Sequence, residues 1–554
     1  MTLPSKADEE EIVFASKSSN QLVFRHKKNR GFPNDKLFAE DDTYIIGIDG
    51  VILNLNQLRN EYAISDFFNL VTTLYRKEKE KVATCFTGEF CGFIFDKVQE
   101  KLLFFMNPTG TKNAFYFHDA DGFIITPDLH TLSLSKSPIH VNRLNKSASY
   151  SLLTLGGMLE NETLIEEVFR LQAGKCITWD HSGFNVSTYH SFNDVSPSVS
   201  DKEKALELID AAFNESLDLE YGKDKEYNLQ HLTTLSGGLD SRMNLLKAIQ
   251  RGFNPESFCF SQSGYSDDKI ARLIAEDKGI LHHFISLDEG NYVFDLEENT
   301  DTYNGLIFYL ASAHLNYALK QLPLDSFGLI HTGQIGDVVV GGSFLPKNLD
   351  SNDFSEALKP ISNKLVHKLQ PRLKDNYASI ELAKIYNRLF NVTVAGSLTT
   401  ESNHSYLVSP FLNTSFIEVA LSIEPKLKQH HKLYLEWIKS YLPGAANYRW
   451  EATGFKPNAK WKKEFSRYTQ KARSMYYNRL KREDKLSMNP YQFWFENNKK
   501  IQVEYDKFFE LHSAEIKEKE LKKDLEMLYK TGTLLEKSQC ITLLKACNKY
   551  QIKS

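Results

Sequence analysis

The sequence predicts an α+β domain of antiparallel strands, then an α/β domain with a doubly wound parallel sheet, then a helical C-terminal extension. Three observations predict this order. Residues 1–190 contain short β-branched and aromatic runs, each bounded by Gly, Asn, Asp or Pro. From 228 to about 445, strand-like and helix-like runs alternate, which argues for a parallel sheet with helices on both faces. Between the first of those strands and its helix lies Ser236-Gly237-Gly238-Leu239-Asp240-Ser241, a glycine-rich turn at the end of the sheet where ligands bind. At 554 residues the chain is also longer than one domain normally holds.

In the first domain, residues 43–48 read as a strand ending at Asp49-Gly50, a turn signal. Further strands are expected at 88–96, 102–106, 114–117, 123–126 and 176–179, with a helix at 65–77. Residues 191–200, rich in Ser, Pro, Asn and Asp, read as a linker. The expected domains are therefore 1–190, 201–458 and 459–554. Asp201 is placed to cap a helix running to about Leu217. In the α/β domain, strands are expected at 228–235, 257–261, 283–287 and 327–332, and helices at 268–278 and 307–322. Residues 459–482 mix Lys and Arg with Trp, Phe and Tyr. Such a mix can bind nucleic acid, but acidic residues follow closely, and a solvated helical face explains it more simply. The tail to Ser554 reads as amphipathic helices.

Composition removes several function classes. The formal net charge of −4 gives no reason to expect nucleic acid or an acidic membrane as a partner. The N-terminus is acidic and lacks a secretory core. No run approaches the ~18 apolar residues of a membrane span. The six cysteines show no Cys-x-x-Cys spacing and read as reduced thiols, so a cytoplasmic protein is expected. The pairs His282-His283 and His430-His431 lack partners at metal-ligand spacing.

The loop at 235–241 carries the most chemistry. Gly237 and Gly238 lack Cβ atoms, so their N–H groups can press against an anion. The following helix start adds unpaired donors and a positive dipole end. Ser236 and Ser241 can donate hydroxyls. Asp240 would repel phosphate unless a cation lies between them, and Mg²⁺ is the economical choice. The loop lacks the Gly-Lys-Ser/Thr of a Walker motif. It resembles the pyrophosphate loop of ATP pyrophosphatases, which cut ATP between its α and β phosphates.

Other residues extend the resemblance to asparagine synthetase and β-lactam synthetase-type enzymes, a glutamine amidotransferase-like domain followed by an ATP-pyrophosphatase domain. They are 88–96, Met106-Asn107-Pro108-Thr109-Gly110-Thr111-Lys112-Asn113-Ala114-Phe115-Tyr116, 123–129 and 162–174 in the first half. In the second half they are 258–261, 267–283, Thr332-Gly333-Gln334-Ile335-Gly336-Asp337, Ser409-Pro410-Phe411-Leu412-Asn413 and 449–457. The resemblance implies an αββα sandwich of the N-terminal nucleophile hydrolase type for the first domain. It implies ATP held by Leu235, Ser236, Gly237, Gly238, Leu239, Asp240, Ser241, Phe260, Ser261 and Gly333, with Asp240 and Asp337 sharing Mg²⁺. The implied reaction adenylates a carboxylate and passes the acyl group to an amine, releasing AMP and pyrophosphate. Its partners would be small-molecule or peptide carboxylates and amines, and a homodimer is an allowed arrangement.

The chain departs from that family at its chemistry. A glutaminase needs a cysteine as residue 2, and this chain has Thr2. The oxyanion-stabilising Asn-Gly is matched by Asp49-Gly50, and a carboxylate opposes a developing oxyanion. Glutamine hydrolysis is therefore expected to be lost. Gln334 stands where the family has Glu or Tyr; it can hydrogen-bond but cannot take a proton. Val338 follows Asp337 in place of Glu, and Ala452 stands at the family's catalytic lysine. Lys456, four residues on, is the candidate to meet the adenylate, so Lys456 and Gln334 are the expected catalytic residues. The leading expectation is an AMP-forming amide synthetase. Asparagine synthesis from ammonia, a tRNA-modifying pyrophosphatase and a non-catalytic ATP-binding homologue are the alternatives.

Overall fold

The computed structural model describes residues 9–15, 21–27, 31–135, 142–369, 373–403, 405–457 and 487–553. Thr2 and the basic stretch 459–482 lie outside the described residues. The chain divides into two compact units: one holds the described residues up to Asn145 with Glu160–Ser191 and Lys549–Lys553, the other Lys146–Leu159 and the described residues of Phe192–Asn548.

The first unit opens with an antiparallel pair, β1 (Glu9–Ala15) and β2 (Gln21–Lys27). Nine strands follow: β3 (Leu37–Glu40), β4 (Tyr44–Ile52), β5 (Gly88–Asp96), β6 (Lys101–Met106), β7 (Phe115–His118), β8 (Phe123–Thr126), β9 (Phe169–Arg170), β10 (Lys175–Asp180) and β11 (Gly183–Thr188). They form an antiparallel six-stranded sheet in the order β11-β10-β6-β5-β4-β3 and a three-stranded sheet, β8-β7-β9. Alternation along the strands sends side chains to opposite faces. On one face, Ile46, Ile48, Ile94 and Leu103 meet Leu55 and Leu58 of helix α1 (Leu55–Tyr62) and Leu70, Val71 and Leu74 of helix α2 (Phe67–Glu78). On the other face, Ile177 and Met106 pack with Ala114, Tyr116 and Leu171, and Ile45 and Phe95 with Phe24.

One expectation is corrected here. Asp49-Gly50 is not a turn, because β4 continues to Ile52 and pairs with β5 throughout. Gly50 has φ +131°, and a Cβ on it would lie 2.0 Å from the Glu89 carbonyl oxygen. Its role is to let two strands approach closely.

In the second unit, helix α3 (Lys202–Glu226) opens under a cap in which Asp201 accepts from the Lys204 N–H at 2.7 Å. It runs beyond the expected Leu217 because Tyr221, Asp224 and other inward residues stay buried to its end. A parallel five-stranded sheet follows, with strands β12 (Gln230–Thr234), β13 (Glu256–Ser261), β14 (His282–Ser286), β15 (Phe327–His331) and β16 (Leu407–Val408) in the order β14-β13-β12-β15-β16. The chain adds β13 and β14 on one side of β12, then crosses to β15 and β16 on the other. The reversal lies between β12 and β15, the place where such sheets open a crevice. β16 was not anticipated, since two residues show no periodicity.

Helices α4 (Asp240–Gln250), α5 (Ser266–Lys278), α6 (Ala313–Leu319), α7 (Phe390–Ser402) and α8 (Lys432–Tyr441) complete the parts that matter for the site. The helix expected at 307–322 shortens to α6, because Ile307 pairs with Gly157 and the Phe308 N–H donates to the Gly156 carbonyl at 2.8 Å, which keeps this stretch extended. The tail is helical at Tyr491–Asn497, Lys499–His512, Lys519–Thr531 and Leu534–Lys549. No helix among the described residues is long and apolar enough to cross a membrane.

Candidate functional site

The loop after β12 is wound on its own hydroxyls. Ser241 Oγ accepts from the Ser236 N–H at 3.0 Å and lies 3.0 Å from Ser236 Oγ. The Gly238 N–H donates to Ser236 Oγ at 3.2 Å. Arg242, fully buried, donates to the carbonyls of Gly237 and Ala445, both at 3.1 Å, and so ties the loop to the segment before Trp450. The Glu451 N–H adds a bond to Gly237 O at 3.0 Å.

The loop after β15 lies directly against the start of α4. A Cβ on Gly333 would sit 2.2 Å from the backbone of Asp240 and Ser241, and one on Gly336 would sit 2.8 Å from Asp240 Cγ. Only glycine permits that contact. Ile335 takes a left-handed φ of 72° to complete the turn. The Asp337 N–H then donates to Asp240 Oδ2 at 2.9 Å, while Tyr434 on α8 donates its hydroxyl to Oδ1 at 2.7 Å. Ser343 donates to Asp337 Oδ2 at 2.9 Å.

The two acids thus lie close enough for the Asp337 charge to act on Asp240. Burial, and then the nearby Asp337 charge, push Asp240 up to about 8, although the Tyr434 hydroxyl and two N–H donors oppose the shift. Asp267 is also pushed up, to about 6, by burial, while its Oδ1 accepts from the Gly237 N–H at 2.7 Å. Acids held above their ordinary range in a cleft are a pattern that functional sites share.

These loops line a cavity of about 970 Å³. Of the residues read from sequence, Leu235, Ser236, Gly238, Leu239, Asp240, Ser241, Phe260, Gly333, Gln334 and Asp337 line it. Three do not. Gly237 gives its N–H to Asp267. Ser261 is buried and donates to the Gln262 carbonyl at 3.0 Å. Lys456 is not in the lining, whereas Lys347, exposed like it, and Ala452 are. Gln334 has Oε1 buried without a hydrogen-bond partner, and Ser409 holds its carbonyl at 2.9 Å. Asn413 caps the helix Thr414–Ser422 and stands outside the lining.

Sequence reasoning missed Tyr434, His314 and Glu451. Tyr434 sat unmarked in an amphipathic helix. His314 lines the cavity with its ring 5.4 Å from that of Phe260, and burial pushes it down to about 4. Glu451 accepts from the Tyr265 hydroxyl at 2.8 Å. A second polar cluster lies behind the sheet. Asp224 Oδ2 is 2.8 Å from His231 Nδ1 and 2.7 Å from His331 Nε2, all three buried, with Oδ1 accepting from the Leu329 N–H. It clamps β12, β15 and α3 together.

A family model described as a glutamine amidotransferase domain matches residues 30–190, and one described as asparagine synthase matches residues 228–489. Among curated proteins, the chain is 24% identical over 311 residues to asparagine synthetase [glutamine-hydrolyzing] 1 of Bacillus subtilis, covering 50% of this chain and 47% of that protein. It is 23% identical over 344 residues to putative asparagine synthetase [glutamine-hydrolyzing] 2 of Methanocaldococcus jannaschii, covering 58% and 64%. The matches thus span about half to two thirds of those relatives. A solved glutamine phosphoribosylpyrophosphate amidotransferase from B. subtilis aligns at 8% identity and a TM-score of 0.23, over 50% of this chain and 59% of that one, too distant to carry an argument.

Proposed function

The chain is a member of the asparagine synthetase-type family, a glutamine amidotransferase domain ahead of an asparagine synthase domain, and on that footing we propose that it activates a carboxylate with ATP and condenses it with an amine, without hydrolysing glutamine. In finer terms, the first unit would be an αββα sandwich of the N-terminal nucleophile type that has lost its chemistry. The second would be a doubly wound ATP-pyrophosphatase domain.

The carrying observation is the meeting of two loops, in which Asp337 donates its N–H to Asp240 at 2.9 Å beside the turn 236–241. The donor set fits Mg²⁺: two neighbouring carboxylates, one of them held at about 8, lose their mutual repulsion when a divalent cation joins them. When bound, the ion neutralises phosphate oxygens and favours departure of pyrophosphate. Asp240 and Asp337 would hold it, and Tyr434 would aim Asp240. Ser236, Gly238 and Ser241 would offer hydroxyls and N–H groups to pyrophosphate, with the α4 N-terminus behind them. The Gly237 N–H would join them once it leaves Asp267. Gln334 would orient a substrate group through its carboxamide, since it cannot act as a base. Lys347 would supply cationic charge in the cavity in place of Lys456.

The loss of glutaminase activity is supported by Asp49. Lys112 approaches its Oδ2 at 3.3 Å and Lys36 its Oδ1 at 3.8 Å. Burial opposes its charge, but the two lysines outweigh it and hold the carboxyl below its usual range. A fixed negative charge there is the wrong sign for an oxyanion.

Purified protein with MgATP, a panel of acids and hydroxylamine as the amine should release AMP and pyrophosphate. Release of ADP and phosphate instead would overturn the reading. Asparagine synthesis from ammonia is the second reading, favoured by the names of the relatives; asparagine formed from aspartate, ammonia and ATP would establish it.

A further inference from the structure

We propose that the acid activated in this cavity carries a bulky apolar group, held between helix α7 and the segment 343–346, rather than being a small polar acid such as aspartate. The inference rests on the adenylation reading above.

The cavity has two arms on either side of the phosphate loop. Its lining reaches β13 on one side of β12 and β16 on the other. Those strands are three spacings apart, about 14 Å, far enough for the two ends to take different chemical groups. The β13 arm is aromatic: Phe260 and His314 lie with ring centroids 5.4 Å apart, and burial keeps the imidazole neutral. Flat faces of that kind suit a nucleobase. The acid is then left with the β16 arm.

That arm is walled by Leu345, Pro346, Val392 and Leu407, with Gln334. Val392 is 49% exposed on a helix whose Phe390, Val394 and Ala395 are buried, so it is an apolar side chain presented to the cavity and left uncovered. Gly396, one turn on, shares its face. A Cβ on Gly396 would lie 3.0 Å from Gln334 Nε2 and 3.1 Å from Leu407 Cδ1. The glycine thus makes room for Gln334 beside the apolar wall. The opposite wall is fixed to the same helical run, because Lys384 donates to the Phe344 carbonyl at 3.0 Å and the Arg388 guanidinium lies 4.9 Å from the Phe344 ring centroid. Ile385–Leu389, the stretch that carries Arg388, is a π-helical turn, a departure common at functional sites. Lys347, next along the segment, is exposed, and a cation in water holds a second carboxylate weakly. Gln334 Oε1, buried without a partner, is left to accept from a donor on the substrate.

The test uses the full chain with MgATP and hydroxylamine, and measures pyrophosphate release with aspartate, glutamate, octanoate, phenylpropionate and N-acetylphenylalanine. The apolar acids should be used best. Val392→Asp should raise their KM by roughly tenfold or more, with the KM for ATP unchanged, and Val392→Leu should not. Preferential use of aspartate, or an unchanged KM for apolar acids in Val392→Asp, overturns the inference while leaving adenylation standing. Silence with every acid, in protein that still binds MgATP, sinks the adenylation reading and this inference with it.

Discussion

Asp49 in the first unit and Asp240 in the second are both half-buried acids beside glycine, yet their electrostatic states are opposite. Asp49 lies between Lys36 and Lys112, and its carboxyl is held below the ordinary range. Asp240 faces another carboxylate, takes hydrogen bonds from Tyr434 and the Asp337 N–H, and rises to about 8. The first charge is already balanced by the protein. The second has a carboxylate where the first has lysines. On the function proposed above, the contrast separates an acid that maintains a fold from one that serves a ligand, where residue type alone would treat them alike.

The contrast breaks hardest at Asp240. Asp240→Asn keeps a single acceptor, so either Tyr434 or the Asp337 N–H faces an amide donor, and it cannot hold a cation; pyrophosphate release should fall by roughly 10³-fold. The ligand-free melting temperature should change little, because removal of a desolvated acid offsets the hydrogen bond lost. A clear fall in ligand-free stability would place Asp240 with Asp49 among the structural acids. In wild type, MgATP should raise the melting temperature, and ATP with a chelator should lose most of that gain.

Asp224 is the balanced acid of the second unit, and it offers a pH test. Burial opposes charge on His331, but Asp224 and Glu220 raise it to about 9. A raised histidine contributes stability that is fully present below its unfolded value of about 6.5 and is lost as pH rises through 9. Denaturant stability should therefore decline by a few kcal/mol between pH 6.5 and 9. Asp224→Asn should flatten that limb, and an unchanged slope would remove the charged His331 from the account.

For Asp49, removal of the charge leaves two buried lysines without it. Asp49→Asn should cost about 2 kcal/mol, measured by urea unfolding. With its pKa held down, the acid contributes stability above its unfolded value and loses it on acidification, the reverse of His331. Neither wild type nor this variant should release glutamate from glutamine. Release by wild type would show that the first unit kept its chemistry despite Asp49.

Much of the second unit was legible because its signals are local. The β12 run, the glycine pair and the Asp240 helix start are contiguous, and Gly333 to Asp337 repeats the pattern after β15. The Asp201 cap was legible for the same reason. What sequence could not show depends on long-range closure. Asp49-Gly50 has the letters of a turn, and only the pairing of β4 with β5 through Ile52 makes it strand. The Gly237 N–H reads as a phosphate donor until α5 brings Asp267 to it. Lys456 is four residues from Ala452 in sequence, yet only Ala452 reaches the cavity wall.

Tyr434 offers the finest discrimination between the two kinds of acid. Its hydroxyl donates to Asp240 Oδ1 at 2.7 Å and is itself pushed well above its usual range by burial and then by Asp240, so it remains a donor. The ring packs at 5.7 Å from Trp437, with Phe411 beside it, and phenylalanine would keep that packing. Tyr434→Phe therefore removes one hydrogen bond and little else, a loss of about 1 kcal/mol. If Asp240 serves a cation, the loss should appear as about a fivefold rise in the Mg²⁺ concentration needed for half-maximal pyrophosphate release, with the melting temperature little changed. If Asp240 were structural, the same substitution would lower the melting temperature and leave the Mg²⁺ dependence where it was.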